Sequence, residues 1–513
     1  MAGIVRNTLV NLTAHGVNAA VSLLLAPILV LAYGIDRYGL IVLARNLLPG
    51  GFVSLFDFGL PESVTRYTSS AMAGGHRDKA QNVVVSVILI AAGIAILVAV
   101  VLASTGHLLI AYVFRVPDEL AASFTAALWA SAAALTVQFP GFILKAALEG
   151  LERFDVVRTG EIASTLAYAG GAAALAMHGA GYHWVILMFV ATSTARLVYF
   201  GLYLHWRKPA GLELSRGRWS RHDVGPALSH AMAFFQGKIL SVAFNFAPSM
   251  VISAVAGPAA TGVYDLVMRI PRMVKVLSGM LGSALLPFAS RTEATAQSGH
   301  VERVLYSGTM LALVLVAPVA TAIAVFSQDV LGAWLGLQFM DLATWLALAM
   351  SWPLLIGWTG IGNSMVIANP DAVRRLNRVT LIQVAIFYAV AFLAGTDNLA
   401  FGFVIGTVAS VLIASPLQVL LLVRYYRLDL MRYLAPVGRV VITGIGLFVL
   451  VHLLHLDAPR TGIPLLGARL ALWCIAYWAI LYFWVLAAGE RREIDHVVRR
   501  LAVVLGVRRT ADH

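Results

Sequence analysis

The chain has 513 residues, 60% of them hydrophobic and only 12% charged, against about 25% charged in an ordinary soluble domain, so a soluble globular protein is excluded. At about 20 to 25 apolar residues per span, this composition holds roughly 12 to 15 transmembrane helices. The single cysteine, Cys474, excludes a disulfide framework and a cysteine-based metal site, and the formal net charge of +12 reads first as a topology signal.

Apolar runs and their charged boundaries predict fourteen spans, near residues 8–33, 38–60, 81–104, 120–147, 157–177, 182–205, 227–256, 260–288, 305–327, 341–367, 377–395, 399–423, 434–455 and 464–488. The first run is too long for a signal-peptide core and lacks a small-residue cleavage site, so it is kept as span 1. The expectation is an all-α polytopic membrane protein of about fourteen transmembrane helices. Residues 1–206 form an N-terminal lobe (spans 1–6), 207–226 a basic connector, and 227–424 a C-terminal lobe (spans 7–12). Spans 13 and 14 occupy 425–489, and 490–513 form a basic tail. With Val497, Val498, Leu501 and Val504 between arginines, that tail is expected to lie on anionic phospholipid.

Of the 37 Lys and Arg residues, 27 fall on one side of the predicted spans, including Arg6, Arg66, Lys145, Arg158, Arg207, Arg216 and the tail arginines. Four (Arg37, Arg115, Arg460 and Arg469) fall on the other. This asymmetry places both termini in the cytoplasm. No basic groove with interleaved aromatics points to nucleic acid.

Six basic residues remain inside the spans: Arg45, Arg196, Lys238, Arg269, Arg272 and Lys275. An ionisable group at bilayer depth costs at least about 2.5 to 3.5 kcal/mol and normally faces a bundle interior or aqueous cavity. On span 8, at about 100° per residue, Asp265, Arg269 and Arg272 fall within about 60° of one another, with Lys275 at the edge of that face. One carboxylate cannot neutralise three cations. A cavity for an anionic substrate is the preferred reading, because arginine forks match phosphate oxygens; intramembrane ion pairing with snorkelling is the alternative. Span 7 adds Lys238, with His230, Ser241 and Asn245 at helical spacing. Span 1 carries Asn7, Asn11, His15, Asn18 and Ser22, read either as cavity lining or as interhelical hydrogen bonding. Span 2 contributes Arg45, Asn46 and Asp57, interrupted by Pro49-Gly50-Gly51 as at a transporter hinge. For Arg196, snorkelling or packing is the preferred reading. Asp57 and Asp265 are candidates for ion coupling or counter-charge; proton or sodium coupling stays open, and no metal or other cofactor is expected.

Two halves of the chain compare at a slowly drifting offset. Ala26-Pro27 recurs as Ala247-Pro248, Arg45 matches Arg269 at 224, and Leu60-Pro61 with Arg66 matches Leu286-Pro287 with Arg291. An offset spanning six helices relates two lobes of like orientation by an axis along the membrane normal.

The stretches Ala26-Pro27 to Tyr38-Gly39, Phe56-Asp57-Phe58-Gly59-Leu60 and Thr65-Arg66-Tyr67 resemble the start of the bacterial polysaccharide-transport family of oligosaccharide flippases (O-antigen translocases). The run from Gly262-Val263-Tyr264 through Arg269 to Leu286-Pro287-Phe288-Ala289-Ser290-Arg291 is similar to a region shared with lipid II flippases of the same multidrug/oligosaccharidyl-lipid/polysaccharide exporter superfamily. The resemblance implies two six-helix lobes around a hydrophilic cavity in the bacterial inner membrane. It also implies alternating-access translocation of an undecaprenyl-pyrophosphate-linked oligosaccharide for O-antigen, capsule or exopolysaccharide assembly, beside a polymerase and glycosyltransferases as pathway partners. Arg45 and Arg269 match positions where such flippases keep cavity cations. Lipid II flipping or cation-coupled small-molecule export are the alternatives. No paired carboxylates, nucleophile elbow or phosphate-cradling glycine loop suggests an enzyme.

The topology is testable in a Cys474→Ser background. Single cysteines at Arg216 and Asp397 should react with impermeant thiol reagents from opposite sides of the membrane, and labelling from a shared side would break the fourteen-span scheme.

Overall fold

In a computed structural model, the described residues are 2–47, 51–295, 298–366, 370–454, 462–487, 489–492 and 495, and they are helical almost throughout with no strand among them. Helices are the expected form where no water is present to satisfy backbone groups. The chain packs as two compact units, Met1–Leu266 and Val267–His513. The first contains α1 (Ala2–Asn46), α2 (Leu60–Ala73), α3 (Arg77–Leu108), α4 (Asp118–Gly150), α5 (Phe154–Met177), α6 (Tyr182–Arg207), α7 (Arg221–Asn245) and the start of α8 (Ala247–Thr295). The second continues α8 and adds α9 (Ser298–Val325), α10 (Ser327–Trp334), α11 (Ala343–Ala349), α12 (Ser351–Gly357) and α13 (Gly360–Val366). It ends with α14 (Pro370–Ala394), α15 (Leu399–Tyr426), α16 (Leu430–Leu453) and α17 (Ile463–Ile480).

Eleven helices among the described residues are long and apolar enough to cross a membrane. The protein is a multi-pass membrane protein, although this measure does not reach the fourteen expected spans. One of the eleven is α1 despite its division at Gly34, another runs from Phe235 in α7 to Leu277 in α8 across Gly257, and α5 is not among them. Leu24, Leu31, Leu393, Ile442 and Trp484 are each at least 70% exposed, which suits a surface solvated by acyl chains rather than water.

The two divided helices show the internal repeat in three dimensions. Gly34 (φ 76°, ψ 169°) breaks α1 and Gly257 (φ 84°, ψ 174°) breaks α8, in a backbone region essentially closed to residues with a Cβ. Just beyond the breaks the helices meet reciprocally. A Cβ on Gly39 would collide with the Pro258 carbonyl, and one on Gly262 would lie 2.8 Å from the Ile35 carbonyl oxygen. Each pair of equivalents is 223 residues apart, and exchange of roles between equivalents is the signature of a twofold relation. Both helices run on unbroken, so this register sets Arg45 against Met268. Arg269 is the next residue, turned by about 100°, rather than the counterpart the drifting offset suggested.

Two predicted loops are structured. Residues 60–73, expected as part of a cytoplasmic loop, form α2, started by left-handed Gly59 (φ 77°) with Pro61 in the first turn. The connector is docked on α3. Gln81 Nε2 donates to the Gly211 carbonyl (3.4 Å), the Arg218 amide to Asn82 Oδ1 (2.9 Å) and the Ser220 amide to Ser86 Oγ (3.0 Å), while Leu212 is fully buried. Asn82 also donates to Asp223 (3.0 Å), and this bond holds the Asp223 carboxyl below its ordinary value. Through the connector and α2, α7 packs with the N-terminal helices, so the division by packing does not coincide with the division by repeat.

In the second unit α9, α12, α16 and α17 share a core of Leu313, Ala317, Phe326, Val440, Trp473 and Tyr477. Polar bonds hold α17 in place: Trp473 Nε1 donates to Thr321 Oγ1 (3.0 Å), Trp478 Nε1 to the Val314 carbonyl (2.8 Å) and Tyr477 to the Val440 carbonyl (2.6 Å). Arg469, counted above among extramembrane loop cations, lies within α17 and pairs with buried Asp329. A carboxylate distant in sequence compensates its burial, which a charge count along the chain cannot register. The tail from residue 496 onward lies outside the described residues.

Two alanine substitutions should separate the two roles of glycine. At Gly34, where an added Cβ meets nothing, Gly34→Ala should cost about 1–3 kcal/mol of backbone strain alone. Gly39→Ala adds overpacking of about 1–3 kcal/mol against backbone that cannot yield. A smaller fall in thermal stability in detergent for Gly39→Ala than for Gly262→Ala would contradict the closer approach at Gly39.

Candidate functional site

The motif Phe56-Asp57-Phe58-Gly59-Leu60 is the turn into α2, and its residues have separate tasks. Asp57 Oδ1 accepts from the Gly59 amide (2.9 Å), which secures the left-handed step at Phe58 and Gly59. Both carboxylate oxygens of Asp57 also accept from Lys238 Nζ at 2.6 Å, with Glu62 Oε1 at 3.4 Å. The Phe58 ring packs on Phe235 at 5.0 Å, and Ser63 Oγ donates to the Ala227 carbonyl (2.5 Å). These bonds tie the turn and α2 to α7. Lys238, expected as a cavity cation, is thus engaged by two carboxylates of its own chain, and Asp57 serves as its counter-charge.

Asp265 is buried at the helix crossing and accepts from the Tyr38 hydroxyl at 2.8 Å. Tyr38 is a functional neighbour that the sequence reading missed; its only signal was its place in the Tyr38-Gly39 pair. Arg269 is buried and Arg272 half-buried. Lys275, in the second unit, stacks over the Trp352 ring at 4.6 Å, so part of its cation is met by a π face.

Arg45 stands apart. Its guanidinium sits 4.9 Å from the Phe189 ring centre and 5.7 Å from that of Tyr168, rings supplied by α6 and α5 that contact each other edge to face. Among the described residues no carboxylate pairs with Arg45. Two aromatic faces recover about 0.5–2 kcal/mol each and leave the planar fork of N–H donors for an anion with several oxygens.

The remaining predicted polar residues divide. Half-buried Asn18 has a buried Oδ1 without a hydrogen-bond partner, and His15 is exposed on the same helix. Asn46 is half-buried beside Arg45 in sequence. Asn245 spends its amide within its own helix, donating to the Ser241 carbonyl at 2.8 Å. The side chains of Asn11 and His230, together with Pro49 and Gly50, lie outside the described residues. Lys145 and Arg158, counted as loop cations, lie within α4 and α5 and converge on Glu161 at 2.7 and 2.5 Å. An apolar cavity of about 260 Å³ lies among α9, α12 and α16, lined by Leu313, Ala317, Leu354, Trp358, Val440 and Phe448. No basic side chain reaches its wall, so it is not the anion site.

Comparison with known proteins places this geometry. The family model for polysaccharide biosynthesis proteins matches residues 4–293. Among solved structures, the lipid II flippase MurJ in an inward closed conformation is similar with a TM-score of 0.66 at 12% identity, over 93% of this chain and 98% of that one. An inward-facing multidrug resistance MATE family transporter of the MOP superfamily reaches 0.59 at 14% identity, over 80% and 94%. A MOP superfamily transporter from Pyrococcus furiosus, described by a binding pocket of reversed polarity, reaches 0.56 at 13% identity, over 82% and 94%. These similarities show the fold. No curated protein sequence matches the chain.

The Lys238 clamp makes a separable prediction. With both side chains largely buried, 17% and 16% exposed, Asp57→Asn alone should destabilise the detergent-solubilised protein by somewhat less than the roughly 3–5 kcal/mol of a buried pair broken outright, since only the more distant Glu62 at 3.4 Å is left to meet Lys238. Asp57→Asn combined with Lys238→Met should recover most of that loss. A double variant as unstable as the single one would mean that the pair contributes through something other than mutual neutralisation.

Proposed function

The chain belongs to the polysaccharide biosynthesis protein family, and on that footing we propose that it is a flippase. Its substrate is an undecaprenyl-pyrophosphate-linked oligosaccharide, carried across the bacterial inner membrane by alternating access for O-antigen, capsule or exopolysaccharide assembly. The observation that carries the reading is Arg45, a guanidinium deep in a helical membrane protein, oriented by two rings and paired with no carboxylate among the described residues. A cation kept unneutralised in a low-dielectric setting is costly unless an anion arrives to share it. A diphosphate supplies that anion, with oxygens spaced for a bidentate fork. Asn18 and Asn46, in the same unit as Arg45, supply amides suited to sugar hydroxyls. Lys238 is excluded from the set because Asp57 and Glu62 hold it. The family membership and the fold shared with flippases and transporters support transport rather than enzyme chemistry.

The mechanism follows from these contacts. The diphosphate displaces water from Arg45, while Phe189 and Tyr168 hold the guanidinium between their faces. The glycine breaks at Gly34 and Gly257 allow each bent helix to reorient about one residue without losing hydrogen bonds elsewhere. Asp57 and Asp265 act as counter-charge and hydrogen-bond acceptor, held by Lys238 and Tyr38. In this reading anionic phospholipids, and a polymerase and glycosyltransferases of the same pathway, are the protein's partners.

Transport of a lipid-linked oligosaccharide into the outer leaflet of proteoliposomes tests this. Arg45→Lys keeps the charge but loses the fork and should reduce the rate about tenfold, and Arg45→Gln about a hundredfold, consistent with about 1.4 kcal/mol per decade. Wild-type transport by Arg45→Gln at unchanged expression would remove Arg45 from the substrate site.

A further inference from the structure

Five charged side chains of α4, α5 and α6 form a second polar cluster that the flippase reading does not use. Glu161 receives Lys145 Nζ at 2.7 Å and Arg158 Nη1 at 2.5 Å, and Lys145 also reaches Glu149 at 3.7 Å. Arg196 of α6 and His15 of α1 lie within electrostatic range of Glu161. Three permanent cations therefore face two carboxylates. Arg196 is the member left over: it is half-buried, its Nε is fully buried with no hydrogen-bond partner, and no carboxylate pairs with it among the described residues. A buried guanidinium N–H without an acceptor normally costs well over 1 kcal/mol, and snorkelling would have brought that nitrogen to water.

The cluster is aligned with the Arg45 slot. Glu161 precedes Tyr168 by seven residues on α5, and Arg196 follows Phe189 by seven on α6. Seven residues are two turns of the same face, about 10.5 Å along each helix. Both steps lead toward Phe154 and Arg207, the helix ends that the charge asymmetry assigns to the cytoplasm.

We infer that Arg196, near the Glu161 that holds Lys145 and Arg158, forms a second anion-binding site about two helical turns to the cytoplasmic side of Arg45, and that it takes a phosphoryl or pyrophosphoryl group. Glu161 competes for the same cations and keeps them in place while the site is empty. The class of anion follows from the donors, because a surplus guanidinium with its planar fork suits several oxygens on one phosphorus better than a spherical halide. Such a group comes from either of two sources, the diphosphate of a lipid-linked substrate or an anionic phospholipid headgroup. The site does not depend on the role given to Arg45.

The test is thermal unfolding of the full-length protein in detergent, titrated with inorganic pyrophosphate in an Arg45→Gln background that silences the other candidate group. A saturable rise in Tm should persist in that background and vanish on adding Arg196→Gln. Glu161→Gln, which removes the competing carboxylate, should tighten pyrophosphate binding roughly tenfold; a purely structural cluster would only lose stability. Should Arg196→Gln not fold, Arg196→Lys retains the charge without the fork and should weaken the response in folded protein. No response in Arg45→Gln, a response indifferent to Arg196 and Glu161, or an equal response to chloride at matched ionic strength would overturn the site. In nanodiscs, weaker pyrophosphate binding when phosphatidylglycerol replaces phosphatidylcholine would support the site with a headgroup as its occupant. Unchanged binding would support it with the substrate diphosphate. Transport by Arg45 variants and pyrophosphate binding at Arg196 are separate readouts, so either can fail alone.

Discussion

An ion taken from water into the interior of a helical membrane protein has to be met by something of opposite charge or by well-placed dipoles, and the arrangement of this chain follows from how each buried charge is met. Lys238 has Asp57 and Glu62, Arg469 has Asp329, Glu161 has Lys145 and Arg158, and Asp265 has the Tyr38 hydroxyl. Apart from Arg158–Glu161, which lies within α5, each of these contacts joins different segments of the chain, so neutralising a charge and docking a helix are the same event. Hydrophobicity alone could not choose between helix neighbours, because acyl chains are as apolar as leucine.

Arg45 and Arg196 are exceptions to that rule. One is held by ring faces, the other has a buried Nε without an acceptor. Their neighbours on α5 and α6 are packed, so the cost of these cations is carried by the fold rather than relieved by motion. Sites that keep such a cost are where an anionic ligand gains most on arrival, since binding then supplies the missing charge and hydrogen bonds together. The backbone concentrates its changes of direction in the same way. Two glycines at positive φ confine the change of direction to single residues, and the reciprocal approach at Gly39 and Gly262 forms a narrow crossing with no room for a side chain.

Much of this was legible in the sequence. The all-helical membrane class, the interrupted helix before Asp57 and the repeat follow from hydropathy and from glycine and proline. These are properties of a residue and its near neighbours. The count of charges within helices, by contrast, missed Lys145, Arg158 and Arg469. The loop at 60–73 was misread because α2 is short and carries polar residues. Its helix is set by Gly59, Pro61 and packing on α3, α4 and α7 rather than by an apolar run.

Which cations are occupied and which are not was decided only by tertiary structure. Lys238 and Asp57 are 181 residues apart, and Tyr38 and Asp265 are 227 apart; no periodicity links such pairs. On the sequence Lys238 and Arg45 look alike, as single basic residues in apolar helices. Folding gives one of them two carboxylates and the other two aromatic rings. The sequence by itself determined that the chain is a helical membrane protein with basic residues set among its apolar runs. The helix packing determined which of those charges meet a carboxylate and which meet ring faces, because Coulomb attraction and desolvation depend on distances through space that chain order does not contain.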